Sequence, residues 1–326
     1  MPVKNEIIRL LEQNRGKAIS GQQLAEALGV SRAAVWKAIK ALEAEGYAIQ
    51  ATQNKGYRLR PESDALSEEG IRVFLPEDWR DYPVQALGQV DSTNLYARRF
   101  CMGDGPAVAL VAADGQTRGR GRLGKAFYSP AGAGVYMSLM LRVDKPLTDF
   151  LLVTVAAAVA VTRTLRRHTD ARPAIKWVND VYVGERKVCG ILTEAVSDFE
   201  SGMLEAAIVG VGINVHPAVF PDELGDIAGT VPGLRVSRNQ LIAEIAREIY
   251  TLSRDLRDPA LLDAYRAESM VLGREVVFRL DGEERAGRAA DIGADGSLLV
   301  KTPDGPVTLR AGEISVRPRK TPAPAG

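Results

Sequence analysis

Residues 150–161 form the most apolar run of this 326-residue chain, and the helical pattern continues to His168 with apolar residues almost all round. Such a helix is tolerated where other elements enclose it. At about 20 residues per crossing the run is too short to span a bilayer, and it opens from Thr148-Asp149 in the manner of a capped core helix. Around it, from about Asp81 to Ala267, short β-rich runs alternate with helical ones. Residues 108–112, 135–141, 181–183 and 204–211 read as strands, and 240–257 as a second helix with Leu241, Ile242, Ile245 and Ile249 on one stripe. The fold class is therefore mixed α/β.

The N-terminal residues Met1-Pro2-Val3-Lys4-Asn5-Glu6 lack the apolar core of a signal peptide. Two cysteines, Cys101 and Cys189, cannot build a disulfide framework, and with only His168 and His216 beside them they offer no zinc spacing. A cytoplasmic, reducing setting with no membrane partner is expected. At 46% hydrophobic and 25% charged residues the chain can bury a core. Its length suits two domains, or three if some are small.

The net charge of +1 argues against a uniformly basic nucleic-acid binder, but it conceals a polarised distribution. Residues 1–60 carry ten Lys and Arg against five Glu, an excess of five that the remainder offsets. Within this segment Leu24 and Leu28 lie on one helix, Gly29-Val30 turns the chain, and Ser31 can cap a second helix whose Val35, Ile39 and Leu42 share a face. Residues 46–50 and 57–59 read as a hairpin with Asn54-Lys55-Gly56 at its tip. This is the pattern of a winged helix-turn-helix. Its candidate DNA contacts are Ser31, Arg32, Ala33, Ala34, Trp36, Lys37 and Lys40 on the second helix, and Lys55 on the wing. The same features fit a small docking or dimerisation module with a solvated basic face.

Pro61-Glu62-Ser63-Asp64 interrupts the pattern as a linker would. The expected divisions are 1–60 for the winged helix, 61–80 for a linker and short helix, 81–269 for the α/β domain, 270–318 for a small β module, and 319–326 for a frayed tail. The β module follows from strands at 275–280, 287–292, 297–301 and 307–309. They are separated by Asp281-Gly282, Asp295-Gly296 and Asp304-Gly305, which supply the positive φ of tight hairpins.

In the central domain Gly119-Arg120-Gly121-Arg122-Leu123-Gly124 satisfies G-x-G-x-x-G. A dinucleotide site would require a helix to open there, and Lys125-Ala126-Phe127-Tyr128-Ser129-Pro130 reads instead as extended. The result is a flexible loop in which Arg118, Arg120, Arg122 and Lys125 alternate with small residues. It suits a phosphate or carboxylate, although a second nucleic-acid patch or a mobile surface loop has the same composition. Further on, Lys176-Trp177-Val178-Asn179-Asp180 places a cation and an acid four apart. Lys187, Gly190-Ile191-Leu192-Thr193-Glu194 and Gly210-Val211-Gly212-Ile213-Asn214 follow. Each alone also fits a surface ion pair or a core strand.

Taken in order, with Asp91-Ser92-Thr93-Asn94 and Gln116, these motifs resemble the biotin protein ligase family, and the winged helix resembles its branch that also represses the biotin operon. Two departures are visible. Lys125 and Phe127 stand where the family loop usually has Arg and Trp, and Val178 stands where it has Pro.

The resemblance implies a central mixed-sheet domain of the class II synthetase/biotin ligase type and a C-terminal SH3-like β-barrel. It also implies a reaction in two halves. Biotin and ATP give biotinyl-5′-AMP, which then acylates a lysine of the carboxyl-carrier domain of a biotin-dependent carboxylase. Arg120, Arg122, Lys176 and Asp180 would be catalytic. Biotin would meet Ser92, Thr93, Asn94, Gln116, Arg120, Gly121, Arg122, Lys176 and Gly190. ATP, with Mg²⁺ bridging its phosphates, would meet Arg122, Lys176, Asn179, Lys187 and Asn214. The winged helix would bind operator DNA as a homodimer promoted by biotinyl-AMP. The competing functions are a lipoate–protein ligase and a DNA-binding regulator whose ligase domain only senses its ligand.

Overall fold

A computed structural model describes residues 3–52, 55–101, 105–198, 203–280, 282–310 and 317–318. The N-terminal module consists of helices α1 (Val3–Gln13), α2 (Gly21–Leu28) and α3 (Arg32–Ala44), followed by the hairpin β1 (Ile49–Thr52) and β2 (Gly56–Leu59). Ser20 and Gln23 form a capping box at the start of α2, and Gly29 ends that helix in the left-handed region at φ 63°. Ser31 Oγ then accepts from the Ala34 amide to start α3. Leu24, Val35, Ile39 and Leu42 are buried together with Ile7, Ile8 and Leu11 of α1, so the sequence periodicity becomes a small core. Asn54 of the wing tip lies outside the described residues.

The segment after this module is not a loose linker. Ser63 Oγ accepts from the Ala48 amide at 3.1 Å, and Arg15 Nη1 donates to the Ser63 carbonyl at 2.6 Å. Asp64 is held by Arg238, whose Nε lies 2.8 Å from Oδ2 while its Nη1 lies 2.8 Å from Asp114 Oδ1. Arg238 is only 5% exposed. A cation so deeply buried requires its carboxylates. The short helix α4 (Glu68–Arg72), capped by Ser67, follows.

The central domain contains β3 (Val84–Val90), α5 (Thr93–Ala97), β4 (Val108–Gln116), β5 (Gly134–Pro146), α6 (Phe150–His168), β6 (Pro173–Lys176), β7 (Asp180–Val183), β8 (Arg186–Asp198), β9 (Met203–Asn214), α7 (Asp222–Gly225), α8 (Arg238–Ser253) and α9 (Pro259–Glu268). Its sheet has the order β3-β4-β5-β9-β8-β7-β6. The β3–β4 pair is parallel and the others are antiparallel. Alternation along β4 sends Val108, Leu110 and Ala112 into the main core, and Ala109 and Val111 to the opposite face with Ala97, Met140 and Ile208.

Taken as one helical stretch, residues 147–168 are long and apolar enough to cross a membrane, unlike the 150–161 run alone, yet this protein encloses them: every residue from Leu152 to Thr162 is buried. Helices α8 and α9 pack against α6. Two sequence expectations change here. Asp149 precedes α6 without a side-chain capping bond, because its carboxylate accepts from Arg257 Nε and Nη2 at 3.1 and 2.9 Å. The second helix runs over Arg238–Ser253 rather than 240–257, starting at a Ser237 cap. It ends early because the following turn buries Leu256 in the core and delivers Arg257 to Asp149.

The C-terminal module is a five-stranded antiparallel sheet of β10 (Glu275–Leu280), β11 (Glu283–Ile292), β12 (Leu298–Thr302), β13 (Gly305–Leu309) and β14 (Arg317–Pro318), in the order β13-β12-β11-β10-β14. Gly282, Gly296 and Gly305 have φ of 82°, 82° and 120°, as Asp-Gly turns require. Asp281 and the tail 319–326 lie outside the described residues. Val276, Phe278, Ile292, Leu298 and Val300 share the core of the central domain. Trp177 Nε1 also donates to the Gly296 carbonyl at 3.0 Å, so the module supports the central domain directly.

Candidate functional site

One cavity of about 580 Å³ opens at the end of the central sheet. Its lining includes Ser92, Thr93, Asn94 and Gln116, the Gly-Arg loop, the turn from Lys176 to Asp180, and the glycine-bearing parts of β8 and β9. Thus Ser92, Thr93, Asn94, Gln116, Arg120, Gly121, Arg122, Lys176, Asn179, Asp180, Lys187, Gly190 and Asn214, scattered through the sequence, all face one space.

One pole is neutral and polar. The Thr93 amide and hydroxyl both donate to Gln116 Oε1 at 2.9 and 3.2 Å, and Gln116 Nε2 donates to Ser129 Oγ at 2.9 Å. Ser92 occupies the N-cap position of α5 without capping it. Asn94 belongs to the floor: its Nδ2 donates to the Leu192 carbonyl and to Glu194 Oε2 at 3.1 and 3.0 Å, and its Oδ1 accepts from Ser138 at 2.6 Å. A Cβ on Gly210 would stand 2.2 Å from Asn94 Oδ1, which is why that strand position is glycine.

The other pole is cationic. The Gly-Arg loop is a compact hairpin rather than a flexible loop. The Phe127 amide donates to the Gly119 carbonyl at 2.9 Å, the Gly121 amide donates to Lys125 at 2.7 Å, and Leu123 and Gly124 turn at φ 56° and 74°. The Phe127 ring lies over β8 and β9, where a Cβ at Gly190 or Gly212 would come within 3.2 or 2.5 Å of it. Arg122 Nη1 donates to Asn179 Oδ1 at 3.0 Å, while its Nη2 is buried with no partner among the described residues. Burial pushes the Arg122 guanidinium down from its ordinary range, with Asp180 and Tyr265 opposing the shift. A guanidinium held this way presents donors to an anion that enters the cavity.

Three of the expected site residues have partners within the chain. Arg120, expected to be catalytic and to meet biotin, lies 3.2 Å from Glu194. Asp180 faces Lys176 in the β6–β7 register, but its Oδ1 is 2.7 Å from Lys187 Nζ, so its charge is shared. Asn214 Nδ2 donates to the Gly229 carbonyl at 3.0 Å and thereby fixes the segment that crosses the cavity at residues 220–228. Lys176 Nζ lies 3.5 Å from the Tyr182 hydroxyl and 5.2 Å from its ring centre.

Sequence reasoning missed Ser129, Ser138, Tyr182 and the 220–228 segment as parts of this site. Ser138 left a signal, a small hydroxyl between the apolar Met137 and Leu139 of a buried strand. The crossing segment left none, because it has no periodic pattern.

On the N-terminal module Arg32, Ala33, Trp36 and Lys37 are exposed along α3, Trp36 by 56%. Ala34 is half-buried, Lys55 is exposed beside the hairpin turn, and Lys40 is exposed but lies 2.6 Å from Glu43. An aromatic ring among cations on the open face of a second helix suits insertion into a groove.

Comparison with known proteins adds the following. The HTH domain family matches residues 3–58, the Biotin/lipoate A/B protein ligase family residues 88–214, and the Biotin protein ligase C terminal domain residues 271–317. The chain is 34% identical over 322 residues to the bifunctional ligase/repressor BirA of Bacillus subtilis, covering 96% of this chain and 98% of that protein. It is 32% identical over 267 residues to the biotin--[acetyl-CoA-carboxylase] ligase of Mycobacterium tuberculosis, covering 79% and 97%. The solved biotin protein ligase of Aquifex aeolicus, in complex with biotin and ATP, superposes with a TM-score of 0.60 at 27% identity, covering 73% of this chain and 99% of that one.

Proposed function

Because the chain belongs to the family of bifunctional biotin ligase/repressors, we propose that the cavity joins biotin to ATP and hands the acyl group to a carrier-protein lysine. The observation that carries this reading is the buried Arg122 guanidinium, one nitrogen of which has no partner among the described residues, set across one cavity from the neutral Thr93–Gln116 pair and its partner Ser129. An acid with a neutral polar head and a carboxylate tail fits such a polarity. Ser92, Thr93 and Gln116 would meet the ureido ring, with hydroxyl and amide capacity remaining for it. Arg122 and Lys176 would meet the carboxylate and the α-phosphate, and Asn179, Lys187 and Asn214 would hold the nucleotide.

In the first half a carboxylate oxygen of biotin bonds to the α-phosphorus while the bond to the β-phosphate oxygen breaks, releasing pyrophosphate. Two anions must approach, and Arg122 and Lys176 offset their repulsion. In the second half the neutral amine of the carrier lysine attacks the acyl carbon, AMP leaves with the bonding electrons, and the amine loses a proton. No enzyme nucleophile is needed. The hairpin at residues 119–127 covers the mixed anhydride and limits its hydrolysis.

Among the described residues no three His, Cys, Asp or Glu side chains come together as a metal site. Mg²⁺ therefore fits as a companion of the ATP phosphates, which it usually binds along with water and few carboxylates. It would neutralise the departing pyrophosphate.

The deciding experiment mixes the purified chain with labelled ATP, a carrier domain, and either biotin or lipoate. Biotinyl-AMP and a labelled carrier are expected. Lipoyl-AMP instead would make it a lipoate ligase, and no adenylate with either acid would leave a ligand-sensing regulator.

Deletion of residues 1–60 should abolish operator binding while the rest stays folded and adenylates biotin, since the basic face is removed and Asp64 remains for Arg238. Far-UV circular dichroism, DNA titration and the adenylation assay read the three properties separately. An unfolded remainder would place the boundary elsewhere, and retained operator binding would reject the α3 assignment.

Biotinyl-AMP should also act as corepressor by favouring a homodimer. One winged helix reads a half-site, and pairing two raises the effective concentration of the second. The adenylate must then bind the dimer more tightly than the monomer. Sedimentation and DNA binding at one salt concentration, with and without biotin and ATP, test this. A constitutive dimer of unchanged DNA affinity would refute the switch and leave the ligase reading intact.

A further inference from the structure

Glu194 lies on β8, on the face opposite Thr193, whose hydroxyl bonds Thr154 of α6 at 2.9 Å. Its side chain is 16% exposed, and its two oxygens face different parts of the molecule. Oε2 accepts from Asn94 Nδ2 at 3.0 Å, in the cavity floor. Oε1 lies 3.2 Å from Arg120 Nη1, in the hairpin above the cavity, and 3.9 Å from Arg98 Nη2.

The hairpin's two limbs are joined by the Phe127–Gly119 backbone bond, and the limb after the turn is fastened to the sheet by the Phe127 ring over Gly190 and Gly212. The limb before the turn carries Arg120, beside Arg118, and Lys125 follows the turn; these like charges repel one another and favour opening. Glu194 is a carboxylate of the sheet that meets the limb before the turn, and Asn94 fixes its orientation.

We infer that Glu194 is a positioning residue that latches the Gly-Arg hairpin shut over the cavity by joining Arg120 to the Asn94 floor, and so sets how long the acyl-adenylate is retained. This rests on the ligase reading above. Glu194 does not touch the reacting atoms; it acts through Arg120, and through the hairpin on Arg122. An ion pair of this exposure shifts a loop equilibrium by a factor of about three to five.

The test uses Glu194→Gln, which keeps an acceptor for Asn94 and removes the charge. In the ligand-free full-length chain, trypsin should cleave the hairpin after its Arg and Lys residues about three- to fivefold faster, at unchanged melting temperature. Release of biotinyl-AMP should quicken by the same factor. Single-turnover adenylate formation at saturating biotin and ATP should change less than twofold, and Glu194→Asp should restore part of the retention. Arg120→Gln should release adenylate as fast as Glu194→Gln, and the double variant no faster than either, because both remove one contact.

Unchanged cleavage and release in Glu194→Gln, or additive effects in the double variant, overturn the latch. If Glu194→Gln fails to fold, Arg120→Gln decides by trypsin cleavage after Arg122 and Lys125 in the ligand-free chain, which contact with the adenylate cannot affect; unchanged cleavage there overturns the latch. If the unaltered chain makes no biotinyl-AMP, the ligase reading fails, while trypsin cleavage of the ligand-free protein still decides whether Glu194 closes the hairpin.

Discussion

Replacing Lys176 by alanine should slow formation of the acyl-adenylate by about 10²–10³, the usual effect of removing one preorganised group from developing charge. The side chain is half-buried at the end of β6, facing the cavity, with its Nζ 3.5 Å from the Tyr182 hydroxyl. Its backbone is fixed by pairing with Asp180 across the β6–β7 hairpin. Neighbouring Trp177 is anchored through its bond to Gly296. An ammonium so placed reorganises little when charge develops on the α-phosphate, whereas water replacing it would have to reorient. Single-turnover kinetics with excess enzyme isolate this step from product release. A twofold effect would remove Lys176 from the chemistry, and normal formation with slowed transfer would move its role to the second half-reaction.

Arg122→Ala should accelerate release of the adenylate by about 10–10², since hydrogen bonds to a charged group contribute about 1.5–3 kcal/mol. The melting temperature should hold or rise. The guanidinium fills no core cavity, and one of its buried nitrogens has no partner among the described residues, so truncation removes a desolvated charge along with a single bond to Asn179. Release followed after a chase, beside thermal melting, separates the two effects. Unchanged release would mean that the anion lies elsewhere, and a large drop in melting temperature would make Arg122 a structural residue.

Both effects depend on contacts between distant parts of the chain. Arg122 reaches Asn179 across 57 positions, and Asn94 reaches Glu194 across 100. The sequence nevertheless contained the residue types in order, and reading them together identified residues that line one cavity. It did not reveal partner choice. Arg120 and Arg122 look equivalent in Gly-Arg-Gly-Arg, but in the structure one meets Glu194 and the other turns inward. Asp149 and Asp64 look like a helix cap and a linker residue, and become partners of Arg257 and Arg238.

The sequence by itself determined what rests on neighbours a few residues apart. The capping Ser31 of the winged helix, the short β-rich runs, the Asp-Gly turns and the all-round apolar helix each carry their conformational preference locally. Only the tertiary structure decided which charges pair, that the linker is pinned, that the Gly-Arg segment is a closed hairpin, and that the 220–228 segment crosses the cavity. Those outcomes depend on burial. An arginine 5% exposed must find carboxylates, and a strand glycine leaves room for whichever ring or amide the fold brings over it. Neither condition can be evaluated before the sheet has assembled.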